Sequence, residues 1–368
     1  MENCTIMLAP TFDDLKRQTH EKQSQLNKAQ GEQKVMDQSK NHHGDVSNGL
    51  PKITILGTGG AGKVSVIRCS KMISPTYARL ITIDTSGSDT PIENVTSLKI
   101  KNLNGSGKLR RENIEDITNF VNTFASKEDN FSDVNIIISS YSGGSGSTLC
   151  PLLIDEILRK GKIAIVIGII DTDSEIDTIN TFNTLRSIDN FVSQHKAYLP
   201  AIFFNNSFGR PVVDKGIDTV IKNLVKFLTS PYVGLDIQDR IKFLNPNAFG
   251  VEYGIKLISI SNDISKDWDT SLGMIIPQQE CSKLDAVLTI TKIDNHISIN
   301  TLCSVTFRGY YDDEGPDFLI SIGYQIPKEL VTSLNNKIHE YKSVSGSKRT
   351  EFTSEYEIGE TTHKGMIL

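Results

Sequence analysis

Apolar positions along this chain fall into two alternating patterns. Short runs rich in β-branched and aliphatic residues at 52–56, 79–84, 134–138, 163–170 and 201–204 predict strands, with 163–170 buried on both faces. Between them, apolar residues recur every three or four positions and predict helices over 64–72, 114–124, 149–158 and 178–192. Strands alternating with helices in this way predict an α/β fold, Rossmann-like, with a mainly parallel sheet covered on both faces. A long amphipathic helix follows, with Val213, Ile217, Val220, Ile221, Leu224 and Leu228 along one side, and Ser230-Pro231 ends it. Beyond Ile241 the pattern changes to strands at 256–260, 286–290, 297–307 and 318–324 and a helix over 327–341. That succession predicts a smaller α+β C-terminal domain. The expected organisation is therefore a polar, disordered extension over 1–50, a ligand-binding domain over 51–211, and a central helix with its following loop over 212–240. The α+β domain occupies 241–343, and a polar tail over 344–368 closes on Gly365-Met366-Ile367-Leu368.

Two strand-to-helix connections are rich in glycine: Gly57-Thr58-Gly59-Gly60-Ala61-Gly62-Lys63, and Ser142-Gly143-Gly144-Ser145-Gly146-Ser147-Thr148. Strand, Gly/Ser loop and helix in that order put unpaired backbone N–H groups and the positive end of a helix dipole at one point, which suits a phosphate. A plain flexible connection is the alternative for either loop alone. The first loop satisfies GxGxxG, and Asp84 ends the second strand as a dinucleotide site would want. It also satisfies GxxxxGK, but Val64 stands where a Walker loop needs a hydroxyl. A dinucleotide leaves the second loop without a task, whereas two phosphate-grade loops on one sheet suit a mononucleotide triphosphate. Gly105 and Gly107 lie in a further polar loop. A branched side chain at Gly144 or Gly146 is expected to block the phosphate and spare the fold, since the loop is read as lying outside the core.

Charge and composition narrow the classes. Lys and Arg total 39 against 44 Asp and Glu, a net charge of −5, which gives no electrostatic case for direct nucleic-acid binding. The 5 cysteines form no CxxC pair and read as reduced thiols, and the 7 histidines show no metal-ligand spacing. The apolar run at 163–170 is too short to span a bilayer, and no leader-like basic and apolar segment opens the chain. These features predict a soluble cytoplasmic protein without membrane insertion.

The order GTGGAG at 57–62, SGGSGST at 142–148 and, after the long helix, GLDIQD at 234–239 resembles the tubulin/FtsZ superfamily. The second loop is similar to the superfamily's GGGTGSG signature, and GLDIQD to its NxDxxD catalytic loop. The segments YSGGSGSTLCPLL, DTINTFNTL and GMIL look most like the tubulin-like proteins of large bacteriophages. The resemblance runs from about residue 52 to 245 and is looser beyond. It departs from the superfamily at Gly234, where asparagine is common, and in the weakly glycine-rich loop at 105–107.

The resemblance implies a tubulin/FtsZ fold and a GTPase that binds GTP/GDP, with Mg2+ alongside the nucleotide. It also implies head-to-tail assembly into a homopolymer, and for the phage group a spindle that positions phage DNA in the bacterial host cytoplasm. Residue by residue, it places Gly59, Gly60 and Gly62 at the diphosphate and Gly143, Gly144, Ser145, Gly146, Ser147 and Thr148 around the phosphates. Gly105 and Gly107 fall near the γ-phosphate, and Asp173 or Glu175 at the ribose. Guanine offers two adjacent N–H donors that one carboxylate can accept together, and Asp214 matches the superfamily position for that contact, with Asn206 as a second polar partner. A helix-start carboxylate and an ordinary loop amide are their plain alternatives. Asp236 and Asp239 match the catalytic acids that polarise the attacking water; their plain alternative is a solvated acidic turn paired with Arg240. The long helix spans roughly 25–30 Å, so these acids reach the nucleotide of the next subunit rather than their own. Two other classes stay open: a filament or scaffold protein that binds nucleotide with little hydrolysis, and an NAD-dependent oxidoreductase.

Overall fold

The computed structural model describes residues 52–87, 92–261, 270–275, 283–293, 299, 301–311 and 317–348. The expectations for the 1–50 extension and for the closing tail beyond residue 348 lie outside these residues. Ten strands form one sheet in the order β3-β2-β1-β4-β5-β6-β7-β10-β8-β9. They are β1 (Ile53–Thr58), β2 (Arg79–Asp84), β3 (Val95–Lys99), β4 (Val134–Ser140), β5 (Ile163–Ile170), β6 (Tyr198–Asn205), β7 (Gly254–Ser261), β8 (Leu284–Lys292), β9 (Cys303–Tyr311) and β10 (Phe318–Tyr324). From β3 across to β7 every pairing is parallel; β10 then runs antiparallel to both β7 and β8, and β8 pairs parallel with β9. The mainly parallel α/β sheet that the alternation predicts is thus present, and the later strands extend the same sheet.

Seven helices are described: α1 (Gly59–Cys69), α2 (Ile114–Ser126), α3 (Gly144–Arg159), α4 (Glu175–His195), α5 (Arg210–Thr229), α6 (Ile237–Leu244) and α7 (Lys328–Lys348). Successive strand residues point to opposite faces, so the unbroken apolar runs feed two cores. Ile55, Ile136, Ile138 and Ile165 pack with Val66 of α1 and with Ile217, Val220 and Leu224 of α5. Leu56, Ile137 and Val166 pack on the other face with Val121, Leu153, Ile188 and Leu334 from α2, α3, α4 and α7. Chain order reverses direction across the sheet between β1 and β4, whose ends stand in register at Thr58 and Ser139. At such a reversal the connections leave toward opposite faces and open a crevice. Both glycine-rich loops rise from it.

Several boundaries differ from the sequence reading. The first helix begins at Gly59 rather than Val64, because the glycines let the chain turn helical directly against the neighbouring strand. The strand expected over 297–307 falls partly outside the described residues; its described part starts at Cys303, after Leu302, which is largely exposed. The last helix runs on to Lys348. Edge strand β3 lacks the apolar run that would announce it, since three of its five residues face solvent.

Arg240 also departs from expectation. It forms no ion pair with the nearby acids, although Asp236 acts on it electrostatically; it turns inward, 2 % exposed, and closes the end of α5. Its Nη1 donates to the carbonyls of Phe227 (3.1 Å) and Leu228 (2.8 Å), and its Nη2 to those of Ser230 (2.8 Å) and Leu235 (3.3 Å). Its guanidinium also lies 5.1 Å from the centre of the Tyr232 ring. The last carbonyls of a helix have no intrahelical donor, and here one buried fork supplies it. Arg240→Met should therefore cost about 3 kcal/mol, since each buried acceptor left bare costs roughly 1–3 kcal/mol. A lowered urea midpoint at unchanged slope would register the loss.

Candidate functional site

The crevice at the β1/β4 reversal holds two helix N-termini side by side. α1 starts after Thr58 and α3 after Gly143, both extended at the N-cap with no side-chain cap, and neither has an acid in its first turn. The first-turn N–H groups of each helix have no intrahelical acceptor, so the two positive ends point into the same space. They are in direct contact: a Cβ built on Gly59 would lie 2.8 Å from the Gly146 nitrogen.

The glycines divide into two groups. Gly60 and Gly143 border open space, with nothing within 4 Å of an added Cβ. Gly62, Gly144 and Gly146 are packing positions. A Cβ on Gly62 would meet the Ile138 carbonyl at 2.2 Å, and one on Gly146 the Ser140 carbonyl at 2.9 Å and the Thr58 carbonyl at 3.1 Å. One on Gly144 would meet Ser106 at 2.6 Å and the Lys108 backbone at 3.1 Å. The expectation that Gly144 or Gly146 could carry valine without harm to the fold therefore fails: α3 begins inside the packed protein. Ser147 and Thr148 are fully buried, and both hydroxyls donate to the Gly144 carbonyl at 3.0 Å. The residues that border the crevice most openly are Gly60, Gly143 and Ser145.

The loop carrying Gly105 and Gly107 lies over the α3 N-terminus. Ser145 Oγ, Ser106 Oγ and Thr85 Oγ1 form a hydroxyl triangle, with Ser106 to Ser145 at 3.1 Å. Asn113 donates to the Gly105 carbonyl (3.0 Å), and Asn180 of α4 donates to the carbonyls of both Lys108 (2.8 Å) and Ser142 (2.9 Å). Lys108 Nζ pairs with Asp177 at 2.8 Å. Arg110 runs beneath, 4 % exposed, with Nη1 donating to the Ser147 carbonyl at 2.6 Å. Burial pushes its pKa down to about 9.

Asn113, Asp177, Asn180 and Arg110 escaped the sequence reading. One signal for Arg110 was present. Pro151 lies within α3 and has no N–H, so the carbonyl four residues earlier, that of Ser147, needs a donor from elsewhere.

Around the crevice, Asp171 and Asn206 meet at the ends of β5 and β6, with Asn206 Nδ2 donating to Asp171 Oδ2 at 2.8 Å. Asp173 is exposed, its backbone N–H bound to Asp171 Oδ1, and Glu175 opens α4. Asp214 lies one turn into α5 and faces Arg68 of α1 (Nη1–Oδ1, 2.9 Å) and Arg210 (Nε–Oδ2, 3.6 Å). Arg68 also bridges to Asp218 at 3.0 Å. Asp84, the acid that a dinucleotide would need, is buried and accepts from the Thr85 N–H and the Ser86 hydroxyl of its own loop. Its side chain is committed to shaping that turn.

Asp236 and Asp239 lie beyond the other end of α5. They form a reciprocal capping box at the start of α6: Asp239 N–H to Asp236 Oδ1 at 2.9 Å, and Asp236 N–H to Asp239 Oδ2 at 3.3 Å. Gly234 precedes them with φ +76°, a left-handed conformation that asparagine also tolerates better than most residues, so glycine here preserves the turn. Among the described residues no group of three or more His, Cys, Asp or Glu is arranged to hold a metal ion, and no helix is long and apolar enough to cross a membrane.

No protein-family model matches the chain. Over 188 residues, 50% of the chain, it is 24% identical to the phage tubulin-like protein of Pseudomonas phage phiKZ, and spans 54% of that curated relative's length. Among solved structures, a protofilament of TubZ from bacteriophage PhiKZ matches 86% of this chain and 99% of its own, with TM-score 0.68 and 20% identity. The phage tubulin PhuZ with GDP matches 86% of this chain and 100% of its own, with TM-score 0.69 and 13% identity. The chain has the tubulin/FtsZ fold, in the form found in the phage tubulins.

Proposed function

We propose that this protein is a guanine-nucleotide-binding cytoskeletal protein that polymerises head to tail and hydrolyses GTP to GDP and phosphate at the junction between subunits. The observation that carries this reading is the meeting of two uncapped helix N-termini, at Gly59–Gly60 and Gly143–Gly146, under a loop of glycines and hydroxyls. Such a cradle offers many backbone donors to a polyphosphate and, with Asp84 turned into its own loop, no carboxylate for a second ribose. In this reading Gly59, Gly60 and Gly143 to Gly146 bind the phosphates and Gly105 and Gly107 face the γ-phosphate. Asp173 approaches the ribose, and Asn206 and Asp214 read the base. A magnesium ion would rest on phosphate oxygens and water, with few protein ligands, which is its usual manner with nucleotides.

Asp236 and Asp239 leave one carboxylate oxygen each outside their capping bonds and stand at the far end of α5 from Asp214. They serve the nucleotide of the next subunit, whose attacking water they polarise. The resulting contact is heterologous and open-ended, which generates a filament. As the sequence resemblance implies, we read that filament as a spindle acting on phage DNA in the host cytoplasm, with no direct nucleic-acid contact and no membrane insertion.

Negative-stain microscopy and sedimentation with GTP, GDP, ATP and no nucleotide test the proposal. Filaments are expected with GTP alone, and filaments that form equally with ATP, or never, would overturn it. Base choice has its own variant. Asp214→Ala leaves Arg68 paired with Asp218, so the helix packing persists while the acceptor for guanine disappears. GTP affinity should drop by roughly 1–3 kcal/mol, the range for hydrogen bonds to a charged group, with ATP unaffected. Equal shifts for the two nucleotides would assign Asp214 to the Arg68 bridge alone.

A further inference from the structure

We infer that Arg110 is the positioning residue that lets this site distinguish a nucleoside triphosphate from a diphosphate. The inference rests on the reading of the Gly105–Gly107 loop as the part of the cradle nearest the third phosphate.

The argument starts at Pro151. A proline in α3 withholds the N–H that would normally bind the Ser147 carbonyl, one turn behind the first-turn donors Gly144 to Gly146. Arg110 Nη1 takes that carbonyl at 2.6 Å and also reaches the Thr184 hydroxyl, while Nη2 reaches Ser187 Oγ at 3.3 Å. One buried guanidinium therefore fixes the end of the Gly105–Gly107 loop to both α3 and α4. The loop it holds presses directly on Gly144 and shares the Ser106–Ser145 hydroxyl contact. Any change in how Arg110 sits moves that loop against the α3 N-terminus. Arg110 is bonded to α3 and α4, so the donors of α1 feel its loss least and the phosphates that rest on them keep theirs. The third phosphate is the part of the ligand exposed to the loop's position. A buried cation beneath the α3 turn also favours the ligand of higher negative charge.

The structure separates this role from simple stabilisation. Replacing Pro151 by alanine gives residue 151 an N–H for the Ser147 carbonyl, which removes the need for Arg110 as a donor without restoring the link to the loop. The experiment measures GTP and GDP affinity by titration calorimetry, and thermal stability, for the parent, Arg110→Gln, Arg110→Lys and the double variant Arg110→Gln with Pro151→Ala. The parent should prefer GTP. Arg110→Gln should reduce that preference by about tenfold or more, within the usual range of coupling between two sites. The double variant should regain thermal stability yet keep the reduced preference. Arg110→Lys keeps the charge, but a single ammonium cannot span Ser147 and Ser187, so it should fold and show an intermediate preference. It also decides the matter if the glutamine variant does not fold.

Equal weakening of GTP and GDP in Arg110→Gln or Arg110→Lys, preference restored by Pro151→Ala, or a parent with no preference would each overturn the assignment. A parent that binds neither nucleotide is a different failure: it removes the guanine-nucleotide reading itself, and this inference with it.

Discussion

Asp236→Asn and Asp239→Asn proteins are expected to bind GTP as the parent does and to release phosphate at least about 100-fold more slowly, the lower end of what a positioned general base contributes. The reasoning is geometric. Between Asp214 and the end of α5 at Thr229 lie four turns of helix, about 22 Å at 1.5 Å per residue. A subunit's own acids are therefore remote from its own phosphate cradle, while Asp236 is exposed at the opposite end and free to face a neighbour. Asparagine is a better replacement than alanine because both acids are structural as well. They cap α6 reciprocally, and an N-cap lost to alanine costs about 0.5–2 kcal/mol. Asparagine retains an acceptor oxygen for each capping bond and removes only the charge that would draw a proton from water. Phosphate release per molecule should rise steeply with parent protein concentration and level off once filaments form. Filaments of the asparagine variants should persist or become more stable, because GTP-bound junctions are no longer converted and repulsion between carboxylate and phosphate is relieved. Turnover independent of concentration, or an Asp239→Asn protein with parent activity, would overturn the shared site.

The sheet was legible in the sequence because strands buried on both faces carry unbroken apolar runs, as in Ile163–Ile170, where every residue is buried. β3 was invisible for the opposite reason: an edge strand half in solvent has no such run to display. Within the site, the two glycine loops were legible because glycine and hydroxyl residues stand out between apolar elements. What each glycine does was not. Sequence cannot tell a glycine that admits a ligand from one that admits a neighbouring backbone, and Gly62 and Gly143 look alike until β4 is placed beside the first. The residues that hold the third loop were hidden because Asn180 and Asp177 act across 72 and 69 positions of chain. Such polar side chains on a helix ordinarily read as its wet face. In α4 the polar positions Asn180, Asn183, Thr184 and Ser187 are buried instead, with Asn180 and Thr184 bonded to loop carbonyls.

That sorting of glycines leads to the other large effect. Gly143→Val should leave the fold in place and abolish measurable GTP binding, whereas Gly62→Val should prevent folding. At Gly143 the added side chain enters open space at the mouth of α3, where the phosphates are proposed to lie. Its extended backbone, φ −75° and ψ 162°, is one that valine favours, so no strain accompanies the change. At Gly62 even the first carbon would lie 2.2 Å from the Ile138 carbonyl and 3.2 Å from the Gly57 Cα, both backbone atoms of central strands that cannot yield separately. Overpacking a core typically costs about 1–3 kcal/mol when side chains can adjust. Here α1 would have to lift from the sheet, taking Val66 and Cys69 out of the core with it. Gly146→Val belongs with Gly62, since three of its nearest atoms, Ser139 Oγ, Ser140 O and Thr58 O, lie at 2.9, 2.9 and 3.1 Å. Circular dichroism with thermal melting, followed by GTP titration on whatever folds, distinguishes the two groups. A folded Gly143→Val protein that binds GTP like the parent would place the phosphates elsewhere. A Gly62→Val protein with parent stability would mean that α1 is not held against β1 and β4 as described.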